Sequence, residues 1–544
     1  MIEYDAIIFV STDSMWDTLK DVNKRVLRVT NGKVIKALGP YRLRTEAAYH
    51  GYNVRIVEFF DEFSDEKFDK ILDALVTEKT KFIGISVPIS ESYPIDFFFD
   101  NKNKFKNLKK RNLKICLGGQ GIKKKYFYTN SLNVKDFESL ICDIDFVIGG
   151  FAEKAFINVL DFLSGKTKTN LGEPYSEFKN TYYLHGTSLG FDTHNLRTVW
   201  LPEDIIEPWH ALPIEISRGC IFKCSFCSFE LNGKKKFDYF RREEELYSEF
   251  MHNYENFGVT RYVFSDDTYN DSREKIDMMS RVIKKLPFKI EFSAFIKPEM
   301  LLAYPEHQKI LIDQGLISQS VGFESFYPET RKSFKKGKQV DEMLKAIKNM
   351  WEYGNSKGVS LKTHFLMIIG GPHETKESVI NGYEFAKKQK YISAISYVPL
   401  RIYNIENNTD HAFVDDISKD PESFGYKIYE KNMYSVKWDN GHMNVDDAYL
   451  LHIKYEKDLR TWMHPLAALG TTQTLPTVLT EKSFNQLYNN PDSTIDDLLF
   501  EYHVNPNKEI LLNFRDKIYQ AIIDGVRTPI NIERYVESQP IKFV

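Results

Sequence analysis

A chain of 544 residues with 42% hydrophobic side chains has material for two to four cores. Its formal net charge of −3 argues neither for nor against a nucleic-acid partner, so none is indicated, and five cysteines are too few for a disulfide scaffold. The start "MIEYDAIIFVSTDS" lacks a charged segment followed by a long apolar run, and stretches such as "FLMIIGG" are only strand-length. No leader, no bilayer span and a reducing, cytoplasmic setting are therefore expected.

Residues 1–165 alternate apolar runs with amphipathic helical patterns. "DAIIFV" (5–10), "NVRIVEF" (53–59), "KFIGISV" (81–87), "LKICL" (113–117) and "DFVIGG" (145–150) read as strands. Between them, "SDEKFDKILDALV" sets Phe68, Ile71, Leu72 and Leu75 at helical spacing, with Ser64 as N-cap. Near-continuous apolar strands suit a parallel sheet covered on both faces, so a Rossmann-like α/β domain is expected. Ligands of such sheets sit at the carboxyl ends of the strands, where Gly118–Gly119 and Gly149–Gly150 stand. No G-x-G-x-x-G follows the first strand, so a dinucleotide is not indicated. The basic runs at 101–114, 123–125 and 335–338 read as solvated faces and loops.

Residues 166–213 are mixed and polar and read as a linker with a few short strands. From 214 the alternation resumes. "PIEIS" (213–217), "TRYVFSD" (260–266), "FKIEFSAF" (288–295), "SQSVGFES" (318–325), "VSLKTHFLMIIGG" (359–371) and "ISAISYVPLRIY" (392–403) are strands separated by helical stretches. Six strand–helix units over 214–409 predict a partial parallel barrel, short of the eight units of a closed one. Residues 410–544 read as an α-helical domain packed against it.

The first barrel strand runs into "SRGCIFKCSFC", where Cys220, Cys224 and Cys227 form a C-x3-C-x2-C array. Three thiolates at the carboxyl face of a parallel barrel leave one coordination position open. Zinc with a distant histidine, or a purely structural cluster, also satisfies the spacing. Cys116 and Cys142 lie in apolar runs and read as buried hydrophobes.

The array, with Phe226 just before its last cysteine, resembles the radical S-adenosylmethionine (SAM) superfamily. The resemblance implies that the three thiolates hold a [4Fe–4S] cluster and that SAM chelates the fourth iron. One electron from the cluster would then break a carbon–sulfur bond to give a 5′-deoxyadenosyl radical. "MIIGGPHET" (367–375) resembles the family's fifth-strand turn near the adenine, which implicates Gly370 and Gly371. "VGFES" (321–325) resembles the fourth-strand segment that meets the ribose, which implicates Glu324 with Ser325 second. "FSDDTYN" (264–270) stands where the family holds the SAM amino group. Its usual Gly-Gly-Glu is replaced by Ser265-Asp266-Asp267, so either aspartate is a candidate.

Residues 1–165 resemble the cobalamin-binding-type domain that precedes the barrel in many radical SAM enzymes. The Asp-x-His-x-x-Gly motif is absent, and His50 has no aspartate two places before it. The resemblance implies a corrin, where one is bound, held at Gly118, Gly119, Gly149 and Gly150 without a histidine ligand.

The expected activity is reductive SAM cleavage followed by hydrogen abstraction from an unreactive carbon, with cobalamin-dependent methylation as the outcome if cobalamin is bound. Rearrangement, cyclisation or oxidation without cobalamin is the alternative, and a non-catalytic zinc- or iron–sulfur-binding scaffold is the alternative from another class. No second group of cysteines exists, so the electron is expected from a flavodoxin- or ferredoxin-type partner. The sequence names no catalytic residue and no substrate, whether small molecule or peptide.

Overall fold

The computed structural model describes residues 2–11, 36–86, 101–119, 144–166, 181–186, 193–229, 239–407, 414–431, 435–494 and 507–530. Cys142 and the basic run 123–125 lie outside them. Two six-stranded parallel sheets organise these residues.

The N-terminal sheet contains β1 (Ala6–Val10), β2 (Val54–Glu58), β3 (Phe82–Ser86), β4 (Lys114–Gly118), β5 (Phe146–Gly150) and β6 (Tyr182–Gly186), in the order β2-β1-β3-β4-β5-β6. The reversal between β1 and β3 is a topological switch point, beside which doubly wound sheets hold ligands. Period-two alternation divides β1 between two cores. Ala6, Ile8 and Val10 belong to the core that includes Tyr41 and Phe156 from the helices Leu38–Tyr49 and Glu153–Ser164. Ile7 and Phe9 belong to the other, with Phe68 and Phe105 from the helices Asp65–Leu75 and Lys102–Lys110. Ser64 caps its helix as expected, accepting from the Lys67 amide at 3.3 Å. Strand β6 lies inside the stretch read as a linker and completes the sheet. In the basic run at 101–114, Lys104 is buried rather than solvated and donates to Phe60 O at 2.7 Å and Asn101 Oδ1 at 2.8 Å.

The second sheet contains β7 (Ala211–Ile214), β8 (Arg261–Phe264), β9 (Glu291–Ile296), β10 (Leu316–Glu324), β11 (Lys362–Ile369) and β12 (Ala394–Pro399). They pair in strict sequence order, and β7 and β12 are the two edges, so the barrel is partial and open. Its core is continuous with one face of the N-terminal sheet.

The segment after β12 is not purely helical. An antiparallel hairpin of β13 (Lys427–Lys431) and β14 (Val436–Asp439) packs on the carboxyl end of β11, with Trp438 fully buried. Beyond it come the helices Val445–Leu459, Leu469–Val478, Glu481–Asn489 and Asn507–Ile523. Leu469–Val478 lies across β7 to β10, and with Glu481–Asn489 it closes the amino-terminal mouth, leaving a cavity of about 20 Å³ beside Arg261, Glu291 and Lys362. Asn507–Ile523 packs on β2 and the helix Asp65–Leu75. Among the described residues no helix is long and apolar enough to cross a membrane.

Candidate functional site

The cysteine loop leaves the carboxyl end of β7 and is fastened from three sides. Asp266, just past β8, accepts from the Ile216 amide at 2.7 Å, the Ser217 amide at 3.3 Å and Ser217 Oγ at 2.6 Å. Lys275 Nζ sits between Asp266 at 3.2 Å and Asp271 at 2.8 Å, all three buried. Ser225 donates its amide to Phe334 O at 3.3 Å and its hydroxyl to Ser333 O at 2.7 Å, and its carbonyl accepts from the Ile417 amide at 3.1 Å. Phe226 packs edge-on against Phe334, with ring centroids 4.9 Å apart.

Two lysines stand near Cys224. Lys297 Nζ lies 3.9 Å from Cys224 Sγ and 4.3 Å from the centroid of the Phe222 ring. Burial opposes the charge on Lys336, yet Glu324, Glu299 and Cys224 together hold its pKa above the usual lysine value. Cys220 is buried, its Sγ 3.6 Å from Thr268 Oγ1, and desolvation raises its thiol. Cys116 behaves differently: burial pushes it up to about 12, which leaves an inert thiol.

Donor chemistry decides what fits this loop. Among the described residues no three His, Cys, Asp or Glu side chains converge closely enough to hold one metal ion. Three thiols on one loop beside cations suit an anionic iron–sulfur cluster that takes one sulfur per iron.

The other candidate residues lie on neighbouring strand ends. The acceptor oxygens of Asp266 are taken up inside the protein. Asp267 is exposed to solvent, and its carboxyl is raised to about 6 by desolvation and by Asp266 and Glu215. It is the aspartate of the pair that a ligand ammonium can reach. Glu324 sits at a register shift between β10 and β11 with φ +70°, and meets Lys336 Nζ at 3.1 Å. Ser325 turns away from it and donates to Glu374 Oε1 at 2.6 Å. Glu374 also accepts from the Gly370 amide at 2.9 Å and the Gly371 amide at 3.3 Å, which ties the β11 turn together. Desolvation nevertheless raises its carboxyl to about 7. Gly370 has φ +89°, and a Cβ there would stand 2.0 Å from the Trp438 ring. A Cβ on Gly371 would meet Thr330 at 2.3 Å. Both glycines are thus required by packing, whatever they offer a ligand.

The N-terminal edge is built differently. Among the described residues a Cβ on Gly118 would meet only Ile148 O, at an ordinary 3.5 Å, while Gly119 adopts φ +109°, which demands glycine. Gly149 is buried and Gly150 exposed at the tip of β5. Among the described residues, Gly118, Gly119, Gly149 and Gly150 stand together at the carboxyl ends of the adjacent strands β4 and β5. His50 is elsewhere, at the end of the helix Leu38–Tyr49, with Nε2 3.2 Å from Glu46 Oε1.

Sequence reasoning missed the charges around the loop. Lys275, Lys297 and Lys336 come from three separate places in the chain, and Lys336, in the basic run 335–338 read as solvated, has its side chain buried against Glu324 instead.

Residues 214–386 match the radical SAM superfamily. An uncharacterized methyltransferase of Pyrococcus horikoshii is 24% identical over 377 residues, 66% of this chain and 76% of its own. The fold is similar to that of the radical SAM methyltransferase TsrM of Kitasatospora setae, solved with tryptophan substrate and a SAM analogue (TM-score 0.52, 13% identity, 94% of this chain and 99% of that one). It is also similar to OxsB, a cobalamin-dependent SAM radical enzyme solved with aqua-cobalamin and SAM (TM-score 0.54, 12% identity, 96% and 79%). At such identities the two structures speak for the fold alone.

Proposed function

From the premise that residues 214–386 are a radical SAM domain, we propose that this chain is a cobalamin-dependent radical SAM methyltransferase acting on an unreactive carbon. One observation carries the reading: a three-cysteine loop at the carboxyl end of the first barrel strand, in a chain whose N-terminal domain is a parallel sheet with glycine pairs at the carboxyl ends of β4 and β5. The methyltransferase relative and the whole-chain likeness to TsrM and OxsB support it.

In this reading Cys220, Cys224 and Cys227 hold a [4Fe–4S] cluster, and Asp267 and Glu324 face SAM. Gly118, Gly119, Gly149 and Gly150 form the seat of cobalamin. Bound together, these groups supply a carbon-centred radical and a transferable methyl. The chain's own residues do the positioning. Lys297 and Lys336 compensate negative charge at Cys224, and Asp266 with Lys275 fixes the backbone that leads into Cys220. Asp267 presents a carboxylate for an ammonium group. Glu374 and Trp438 hold the β11 turn closed from behind. The electron comes from a partner of flavodoxin or ferredoxin type.

The test is anaerobic reconstitution of the protein expressed with ample cobalamin, followed by measurement of iron, sulfide and corrin per chain and of deoxyadenosine and S-adenosylhomocysteine formed from SAM. Alanine at each of the three loop cysteines should abolish iron loading, and alanine at Cys116 should not. Full loading in any loop variant overturns the assignment. Iron without corrin would leave a radical SAM enzyme that does not methylate through cobalamin.

A further inference from the structure

A buried cluster of charges lies at the joint between the two sheets, beside their shared apolar core. Arg218 stands two residues before Cys220. Its Nη2 meets Glu153 Oε1 at 2.7 Å and Glu215 Oε2 at 3.0 Å, and its Nε meets Glu215 Oε1 at 3.0 Å. Glu153 opens the helix that follows Gly149–Gly150, so the guanidinium reaches from the cysteine loop to the carboxyl edge of β5. The ring of Phe151, on the same edge, lies 4.6 Å from the guanidinium carbon. Arg42, from the helix Leu38–Tyr49, pairs with the same Glu215. The four side chains are 3% to 12% exposed. Arg218 Nη1 is buried with no protein partner among the described residues, so one donor of the fork remains available at the seam.

Two acids and two arginines at such burial are an expensive way to glue surfaces, since apolar packing of equal volume is often at least as stable. What a bidentate fork adds is geometry: a planar group that meets two carboxylates has a narrow choice of positions. Glu215 fixes the plane of the guanidinium through two bonds, so a shift of the cysteine loop must move Glu153 or break the one buried hydrogen bond that joins them.

We propose that Arg218 is a positioning residue that couples the two ligand edges, so that filling the cysteine loop orders the Gly149–Ile157 edge through Glu153. This rests on the reading of the cysteine loop as a cluster site. By linkage, a ligand seated on the β5 edge then favours the filled loop to the same degree. A bridge that only glues the domains would protect that edge equally whether the loop is filled or not.

The experiment is hydrogen exchange read by mass spectrometry on the full chain, before and after anaerobic reconstitution with iron and sulfide. In the wild type, amides of residues 149–157 should exchange roughly 5-fold or more slowly once the loop is loaded, the lower end of ordinary site–site coupling. The double variant E153Q/R218M removes one charge of each sign, so the seam stays neutral. It should load the same iron and change by less than about two-fold. R218K keeps the charge without the fork and should show at most half the wild-type slowing. Undiminished slowing in a loaded variant, or none in the loaded wild type, overturns the proposal. A wild type that takes up no iron overturns the cluster reading first, and this inference with it; iron content tells the two failures apart.

Discussion

Replacing Glu374 by glutamine should stabilise the protein in alkaline solution, contrary to what the loss of a charged, hydrogen-bonded group ordinarily does. The carboxyl is 3% exposed, and its pKa rises from 4.5 to about 7 because burial outweighs the hydrogen bonds from Ser325, Gly370 and Gly371. The folded state therefore holds this proton more tightly than the unfolded chain does. The stability it contributes is complete below pH 4.5 and is lost as pH rises through 7. A shift of about 2.5 units corresponds to ~3 kcal/mol, of which ~2.5 kcal/mol falls between pH 5 and pH 8. Glutamine retains a carbonyl oxygen for the two glycine amides, and the Ser325 hydroxyl can rotate to accept from the amide. E374Q should thus lie within about 1 kcal/mol of wild type at pH 5 and gain ~2.5 kcal/mol on it by pH 8. Urea unfolding at the two pH values, with unchanged m-values, measures this. A difference between the proteins that does not vary with pH, or a variant less stable at pH 8, would refute the argument.

Further outcomes follow from the same geometry. K275M leaves Asp266 and Asp271 buried without their shared cation and should cost about 3–5 kcal/mol in thermal unfolding, with iron loading reduced as the cysteine loop loosens; a loss under 1 kcal/mol would show the triad to be dispensable. G370A places a methyl 2.0 Å from the Trp438 ring at a left-handed backbone position, and should cost at least ~2 kcal/mol and alter the near-ultraviolet circular dichroism of buried tryptophan. An unchanged spectrum would contradict that packing. Burial lowers His364 to about 4 and His464 to about 3, so each takes up a proton on unfolding at pH values between those and about 6.5. Stability should decline as pH falls below about 6.5, and less steeply in H364Q. Parallel pH profiles for H364Q and wild type would rule out a contribution from His364.

Eleven of the twelve strands in the two parallel sheets were legible, because strands covered on both faces read as apolar runs whatever lies around them. Strand β6 was hidden in "TYYLHG", a short aromatic edge strand inside a polar stretch. The hairpin of β13 and β14 was missed because Lys427–Lys431 is largely solvent-exposed and alternates weakly, so it carries no hydrophobic signal. At the site, the grouping of three cysteines announced itself locally. The demand for an acid near an ammonium was also legible, but the ammonium that meets Asp266 is that of Lys275, nine residues on. The seam of Arg42, Glu153, Glu215 and Arg218 could not be read, since each of these residues taken alone looks like an ordinary surface charge.

The helix Asn507–Ile523 has a consequence for how the chain acquires its shape. Phe514 packs on Phe59 with ring centroids 5.8 Å apart, and Lys67 pairs with Asp516 across 449 positions of sequence. The β2 side of that face, around Phe59 and Phe63, therefore waits for the helix Asn507–Ile523 to be made. At ~5–20 residues per second, the ribosome takes roughly 20–90 s to span that interval. Phe59, Phe63 and the surface around β2 stay uncovered for that time, open to chaperones and to neighbouring nascent chains. Fragments that end before residue 507 should accordingly be recovered as aggregates, even though every strand of both sheets has already been synthesised.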